Sequence, residues 1–397
     1  PMTTIESVSE QPSARCGPAG DRPAEPPEPG PPARVRPSGP GTGDAGDAWL
    51  VTRYHDVVRV TSDPRCTRQA PDGPSPPRPL PHIPLGRPAG PAAALALGRV
   101  RQAMSGAGTA AGASHGRDRL RTRALRAADA LADELERHGR PADLMARLLE
   151  PLALTVACEL MGVPERDRRR VAEWTGRDHR EHTGAELRDY LTALLQRRCA
   201  EPRDDLAGEL AEATVQGELG TEEAVSLAVR IHSGTAHALR DGTGAMLHLL
   251  LTHPEQLARL RARPALLTLA VEELLRRLPH ADGPGAVRAA TEDLDIGGTR
   301  VPAGATVHLA YSVANHDPAA FDRPRELDLA REGPPQLSFG HGAHRCPGAG
   351  LVRLVARTVL AVLLRRFPAL RAAGPPEPVR WRDGTPVRGP ERLPVTW

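Results

Sequence analysis

Apolar side chains recur at helical spacing through most of the chain between residues 92 and 278. Apolar positions three or four residues apart lie on one face of an α-helix, so this pattern predicts helices nearly throughout. The longest run, from Thr221 to Thr252, contains no proline and would extend about 45 Å at the helical rise of 1.5 Å per residue. The pattern therefore predicts one helix long enough to cross a whole domain.

Alternating apolar and polar positions, which are typical of strands, lie mainly near the two ends of the chain. Residues 48–54 read as a strand, and a short helix then ends at Asp63-Pro64. Residues 294–301 read as a hairpin whose turn is Gly297-Gly298, and short strands follow Val379. The predicted fold class is mainly α with a small β-rich lobe, in a single domain.

Two stretches lack the apolar side chains that a core requires. Residues 1–45 are dominated by proline, glycine, alanine, serine and charged residues, so we expect a disordered tail. A second stretch rich in proline and glycine, residues 70–91, is expected to be a loop. The predicted organisation is therefore a tail over 1–45 and one domain over 46–397.

Composition excludes several classes of protein. The formal net charge is only +3 and the arginines are interspersed with acids, so no nucleic-acid or membrane surface is expected. The five cysteines are odd in number and widely separated, which argues against a disulfide framework and for a reducing compartment. No run approaches 18 uncharged apolar residues and no signal pattern opens the chain, so we expect a soluble, cytoplasmic protein.

Residues 339–348 place one cysteine, Cys346, in a glycine-rich loop directly before a long apolar-periodic run. Glycines allow the backbone to pass close to a flat ligand, and the N–H groups that open the following helix favour a thiolate. A thiolate presented in this way is a metal ligand. The alternatives are a buried free cysteine in a turn, and a zinc site formed by His341, His344 and Cys346, for which no fourth ligand lies nearby.

The segment resembles the haem-binding loop of the cytochromes P-450, whose pattern is Phe-x-x-Gly-x-His-x-Cys-x-Gly. Every fixed position is filled, by Phe339, Gly342, His344, Cys346 and Gly348. The resemblance implies the cytochrome P-450 fold, with a haem b between the long helix and the helix after Cys346, and the Cys346 thiolate on the iron. It also implies a small organic substrate, and electrons from a ferredoxin and an NAD(P)H-dependent ferredoxin reductase that dock near Arg345.

Two further segments resemble other parts of the pattern of that family. Glu273 and Arg276 are three residues apart, so they share a helix face and can pair, and they resemble the family's buried Glu-x-x-Arg. Asn315 and Asp317 match its Asn-x-Asp-Pro segment. Where the family usually has a third arginine this chain has Glu326, and we expect Arg325 to take that place only if the backbone shifts.

Haem propionates need cations or hydrogen-bond donors once they are partly desolvated. Arg288 and His344 resemble the family's propionate partners, although either residue alone would read as a surface cation. The family's further anchor on an early helix has two alternatives here. Spacing favours Arg99 or Arg101, whereas literal matching of the motif finds His115 and Arg119.

The long helix departs from the family at its oxygen-activation segment. The ungapped register places that segment on residues 234–238, with Gly234 at its start, His237 in place of an acid and Ala238 in place of an alcohol. The resemblance implies that the acid and the alcohol normally relay protons during oxygen activation. His237 could donate a proton near neutral pH, or it could simply pack in the helix. Pro347 is a smaller departure, because it removes one N–H near the sulfur.

Three functions remain open. The first is an oxidoreductase of secondary metabolism, a monooxygenase or an oxidative coupling enzyme, acting on a small organic molecule. The second, motivated by the missing alcohol, is a haem-thiolate enzyme that does not activate dioxygen, such as a dehydratase, an isomerase or a group-transfer catalyst. The third is a non-catalytic partner protein, against which the presence of Cys346 argues.

Overall fold

The structure is a computed structural model, and it describes residues 27–35, 48–67, 98, 100, 104, 113–176, 183–279, 286–374, 379–382 and 387–397. As predicted, helices dominate these ranges. The helices are α1 (Tyr54–Ser62), α2 (Ala113–His138), α3 (Glu150–Met161), α4 (Glu165–Gly176), α5 (Thr183–Ala200), α6 (Leu206–Val215), α7 (Thr221–Leu251), α8 (Pro254–Ala262), α9 (Leu267–Arg276), α10 (Tyr311–Ala314) and α11 (Ala349–Arg366). A π-helical turn, Met145–Leu149, leads into α3, and short 3₁₀ turns span Pro264–Leu266 and Gly342–His344.

The predicted long helix is α7, 31 residues from Thr221 to Leu251. It starts where the Glu223 carboxylate accepts a hydrogen bond from the Gly220 N–H at 2.9 Å, which satisfies a donor that the first turn leaves unpaired. It ends just before His253-Pro254, because a residue that precedes proline is disfavoured in helical geometry. Along its length α7 packs against α3, α9 and α11, so it lies at the centre of the helical part.

The strands form three small sheets. They are β1 (Ala33–Val35), β2 (Ala48–Val51), β3 (Cys66–Thr67), β4 (Ala142–Asp143), β5 (Ala286–Ala290), β6 (Leu294–Ile296), β7 (Thr299–Val301), β8 (Thr306–Leu309), β9 (Arg371–Ala372) and β10 (Pro394–Thr396). The largest sheet has the order β1-β2-β8-β5-β3, and only its β2–β8 pair is parallel. The hairpin predicted over residues 294–301 is confirmed as β6–β7, and Gly297 and Gly298 have positive φ angles in its turn.

The predicted disordered tail over 1–45 is wrong for residues 33–35. This segment forms strand β1, which pairs antiparallel with β2 in the register Ala33 to Leu50 and Val35 to Ala48. Upstream, the Gly30 N–H donates to Oγ1 of Thr52, whose hydroxyl donates back to the Gly30 carbonyl. Low apolar content did not exclude this strand, because the edge of a sheet can be extended by backbone hydrogen bonds alone. Residues 1–26 and 36–47 lie outside the described residues.

The described residues form two hydrophobic cores. The larger lies among the helices and includes Leu247 of α7 and Leu360 of α11. The smaller lies between the five-stranded sheet, α1 and the segment around Phe321 and Leu337. Within the described ranges, no helix is both long and apolar enough to cross a membrane. The loop that contains Cys346 joins the two cores, because it leaves the second at Leu337 and enters α11 at Ala349.

Candidate haem site

The cysteine loop is a compact turn between Leu337 and α11. Gly340 and Gly342 have φ angles of 70° and 69°, in the left-handed region that favours glycine. The Cys346 N–H donates to the Phe339 carbonyl at 2.8 Å, which closes the loop. This closure places Cys346 three residues before α11, where its sulfur faces the first N–H groups of the helix.

The environment of the Cys346 thiol has opposing effects on its pKa. Although the residue counts as solvent-exposed, the surrounding protein atoms desolvate the sulfur, and this effect raises the pKa. The N–H groups of Gly348 and Ala349 act in the opposite direction, as do the charges of Arg345 and Arg353. The net direction is upward in the protein alone. A metal ion on the sulfur would itself favour the thiolate, and the two N–H groups would then stabilise that charge.

The Arg353 side chain connects the cysteine loop to α9. The guanidinium of Arg353 lies 4.8 Å from the centre of the Phe339 ring and forms an ion pair with Glu272 of α9. Burial raises the pKa of the Glu272 carboxyl, but hydrogen bonds from Arg353 and Gln336 outweigh it and hold that pKa below its usual range. The sequence interpretation missed this ion pair. The available signals were the place of Arg353 near the start of the helix after Cys346 and the place of Glu272 directly before Glu273.

The loop also contacts the end of α1. The His341 Nδ1 atom lies 3.1 Å from the Thr61 hydroxyl and 3.3 Å from that of Ser62. A Cβ atom on Gly342 would lie 2.6 Å from the Thr61 carbonyl oxygen, so only glycine fits there without movement. His341 is therefore engaged with α1, and the described residues contain no group of three or more histidine, cysteine or acidic residues that could hold a metal. His344 lies half-buried in the short 3₁₀ turn.

Glu273 and Arg276 form the buried ion pair that the sequence predicted. Their side chains are 1% and 2% exposed, and Nε of Arg276 donates to Glu273 at 2.7 Å. The third arginine is Arg331, whose Nε donates to the same carboxylate at 3.0 Å. Arg325, which was expected to take this place only if the backbone shifted, is exposed, and Arg331 reaches the pair instead from beyond Leu329.

The Asn-x-Asp-Pro segment ties the residues just before the cysteine loop to two helices. The Asn315 side chain accepts from the Leu337 N–H at 2.7 Å and donates to the Ser338 hydroxyl, and its backbone carbonyl accepts from Arg276. Asp317 accepts from the Tyr54 N–H at 2.8 Å, which fixes the start of α1. The segment thus connects α9, α1 and the residues just before the loop.

The surroundings of Arg288 indicate whether the site suits haem. Its side chain lies on β5 and is among the largest fully buried ones, at 2% exposure. Among the described residues its Nη1 donates to the adjacent Val287 carbonyl, and Nε makes no hydrogen bond there. Within the described ranges no carboxylate pairs with this guanidinium. A buried cation without a counter-ion is costly, so Arg288 suits an anionic group such as a propionate.

The early-helix alternatives are mostly untested. Arg99, Arg101 and the side chain of His115 lie outside the described residues. Arg119 is exposed, and its Nη2 atom donates to the Asp204 carbonyl at 3.0 Å.

The segment 234–238 lies in the middle of α7 and presents two faces. Gly234 and Ala238 are exposed and lie one turn apart on one face, whereas Ala236 is buried. His237 is half-buried and lines a small cavity together with Glu150 of α3, Thr175 of α4 and Arg240. The structure therefore brings His237 to the boundary between the two faces.

Comparison with known proteins agrees with this architecture. The family model for cytochrome P-450 matches residues 241–382. Biflaviolin synthase of Streptomyces coelicolor is 40% identical, over 93% of this chain and 90% of that protein. Nocardicin C N-oxygenase of Nocardia uniformis subsp. tsuyamanensis is 38% identical, over 88% of this chain and 90% of that protein.

Solved structures agree as well. The cytochrome P-450 hydroxylase from the leinamycin pathway of Streptomyces atroolivaceus has a TM-score of 0.80 and 39% identity, covering 92% of this chain and 93% of that one. A cytochrome P-450 with biaryl coupling reactivity has a TM-score of 0.79 and 36% identity, with the same coverage. The similarity spans nearly the whole length of each chain, and the chain belongs to the cytochrome P-450 family.

Proposed function

We propose that the protein is a haem-thiolate oxidoreductase of secondary metabolism that inserts oxygen into, or oxidatively couples, a small organic molecule. The observation that supports this most directly is the Cys346 loop, in which the sulfur receives the N–H groups that open α11. A sulfur held there is suited to bind iron as a thiolate, because the helix N-terminus stabilises the anion. The buried Glu273 pair and the Asn315 contacts hold this loop in place.

The proposed cofactor is haem b; Cys346 would bind its iron through the thiolate, and Arg288 and His344 would hold its propionates. Arg99 or Arg101 would complete the propionate set. When bound, the haem supplies the activation of dioxygen, which the thiolate promotes by donating electron density. The protein's own residues hold the sulfur, neutralise the propionates and, from α7, supply protons.

The substrate class is inferred from the relatives. Biflaviolin synthase is named for making biflaviolin, and one solved cytochrome P-450 is named for biaryl coupling reactivity. Nocardicin C N-oxygenase and the leinamycin-pathway hydroxylase are named for adding oxygen. A small organic compound of a bacterial secondary pathway is common to these names. Electrons would come from a ferredoxin and an NAD(P)H-dependent reductase, and the exposed Arg345 beside the cysteine offers a cationic contact for an acidic partner.

The test is the spectrum of the ferrous carbonyl complex. The purified wild-type protein should contain haem and should absorb at the long wavelength typical of thiolate ligation. Cys346→Ser should lose that band, whereas Cys199→Ser, a change at an exposed cysteine on α5, should retain it. A wild-type protein without haem, or a thiolate-type band that persists in Cys346→Ser, would refute the proposal.

One observation favours a second candidate. Ala238 is exposed on the face of α7 that it shares with Gly234, so that face offers no hydroxyl at this position. A haem-thiolate catalyst that needs no dioxygen, such as a dehydratase or an isomerase, would not require one. Product formation under anaerobic conditions without reductant would identify this second function, and strict dependence on dioxygen and NAD(P)H would exclude it.

A further inference from the structure

The ion pair between Arg353 and Glu272 lies beside the residues that hold Cys346. Arg353 is on the second turn of α11, and its Nη1 donates to the Ala349 carbonyl at 3.3 Å, so the side chain folds back over the first turn. Its guanidinium lies 4.8 Å from the centre of the Phe339 ring. The Phe339 carbonyl accepts from the Cys346 N–H, and the Ala349 N–H faces the sulfur. The cation therefore contacts two residues that each bond the cysteine.

The anion of the pair, Glu272, is on α9. Nε and Nη2 of Arg353 donate to its two carboxylate oxygens at 2.5 and 2.8 Å, and Nε2 of Gln336 donates to it at 3.2 Å. These donors hold the pKa of the Glu272 carboxyl below its usual range, so the group is ionised at neutral pH. The pair therefore places a permanent cation next to the cysteine loop, with an anion bonded to that cation from α9.

The two charges are not equally screened by solvent. The Arg353 side chain is 19% exposed, whereas that of Glu272 is 39% exposed. Water and salt weaken the field of an exposed charge more than that of a buried one. The neighbouring cation Arg345 is fully exposed to this screening, because its side chain lies at the surface. At the desolvated Cys346 sulfur, Arg353 should therefore act more strongly than either Glu272 or Arg345.

We infer that the Arg353–Glu272 pair sets the reduction potential of the iron that Cys346 would bind: Arg353 raises this potential, and Glu272 offsets part of the rise. This inference rests on the proposed function. Reduction adds one electron to the unit formed by iron and thiolate, so a nearby cation favours the reduced state and a nearby anion opposes it. Both are positioning residues, because they act through the cysteine and do not touch the substrate.

A purely mechanical role for the pair has a different signature. If Arg353 only clamped Phe339 to α9, loss of either partner would loosen the cysteine loop in the same way, and the potential would move in the same direction. If the charges themselves act, removal of Arg353 and removal of Glu272 shift the potential in opposite directions. Glutamine at position 272 can still accept a hydrogen bond from Arg353 through its amide oxygen, which keeps the guanidinium in place.

The test is a reductive titration of the purified, substrate-free holoprotein, with mediator dyes. Arg353→Gln should lower the equilibrium constant for one-electron reduction by about threefold, and Glu272→Gln should raise it by about twofold. Because a tenfold change corresponds to about 59 mV for one electron, these shifts are roughly 28 and 18 mV in opposite directions. Arg353→Lys keeps the charge but loses the bidentate fork, so its potential should lie closer to wild type than to Arg353→Gln.

The matched control is the ion pair of Arg365 with Asp129, which involves the same helix. Arg365 lies about 18 Å further along α11 than Arg353, and salt screens exposed charges over about 8 Å. Arg365→Gln and Asp129→Asn should therefore leave the potential unchanged.

The inference requires a fall in Arg353→Gln together with a rise in Glu272→Gln, and any other combination of signs would overturn it. If Arg353→Gln retains no haem, the Glu272→Gln shift decides: a rise supports the role of the charges, and a fall or no change overturns it. The two proposals fail separately. A wild-type protein without the thiolate-type carbonyl band refutes the proposed function, whereas a normal band with unmoved potentials refutes only the role of the pair.

Discussion

Glu273 is the most constrained charged residue near the cysteine loop. Its carboxylate accepts from Arg276, from Arg331 and from the Asp328 N–H, and it is almost completely buried. A buried carboxylate is stable only when such partners replace the water it has lost. Because Arg276 also donates to the Asn315 carbonyl, loss of Glu273 would affect the segment that positions Leu337.

The roles of the two candidate arginines give a direct prediction. Arg331→Ala should lower the free energy of unfolding by about 1–3 kcal/mol, because Glu273 loses a charged donor while it retains Arg276. Glu273→Ala leaves Arg276 as a buried cation and should cost about 3–5 kcal/mol, with loss of haem. Denaturant unfolding and haem content measure both effects.

Arg325→Ala is the matched control for Arg331→Ala. Arg325 is exposed, so its removal should change stability by less than about 0.5 kcal/mol. If the two arginine variants were equally stable, the assignment of Arg331 as the third member of the network would be incorrect.

Sequence reasoning succeeded where partners lie close along the chain. The pairing of Glu273 with Arg276 follows from their three-residue spacing on a helix, and the closed loop before α11 follows from its glycines. Arg331 lies 58 residues from Glu273 along the chain. It belongs to a segment without regular secondary structure, and no sequence pattern near it predicts that this segment contacts α9. The Glu150 cavity was missed for the same reason, because three helices meet there.

At the scale of elements, the position of the cysteine loop against α1 depends on a close contact between their backbones. The 3₁₀ turn Gly342–His344 packs against the end of α1, and His341 bonds the hydroxyls there. The element pattern itself was predictable: α7, the β6–β7 hairpin and the strand-then-helix opening were all confirmed. The contact between α1 and the loop was not, because it depends on how the two cores meet.

Gly342→Ala tests that contact. Alanine would be strained at φ 69°, and its Cβ would also lie 2.6 Å from the Thr61 carbonyl oxygen. Together these effects should lower the free energy of unfolding by about 2–4 kcal/mol and weaken haem retention.

Gly340→Ala is the matched control, since its φ is 70° but its Cβ would meet nothing closer than the Tyr311 hydroxyl, at 3.4 Å. It should therefore show the backbone strain alone, about 1–2 kcal/mol. Equal losses of stability in the two variants, measured by denaturant unfolding, would show that the approach of the loop to α1 does not limit this site.

At the scale of the whole molecule, the sheet lobe and the helical part have separate cores, and β1 belongs to the sheet lobe. It is an edge strand whose pairing partner is β2, and Arg34 lies over the ring of Trp49 at 5.4 Å. Composition could not predict this strand, because Ala33 and Arg34 are exposed and the strand pairs with β2 through its backbone. In the sheet, β2 and β8 separate β1 from β5, the strand that contains Arg288.

Deleting residues 1–35 should therefore lower stability without affecting the proposed haem site. Compared with deletion of residues 1–26, it removes the pairing of β1 and the Gly30–Thr52 hydrogen bonds, which together should be worth about 1–2 kcal/mol. We expect Tm to fall by a few degrees while the carbonyl spectrum and haem content stay unchanged. Equal Tm values for the two deletions would mean that β1 adds no stability to the sheet. Loss of haem in the longer deletion would mean that the sheet lobe supports the haem site through β2, because α1 follows β2 directly and holds the Thr61 contact to the loop.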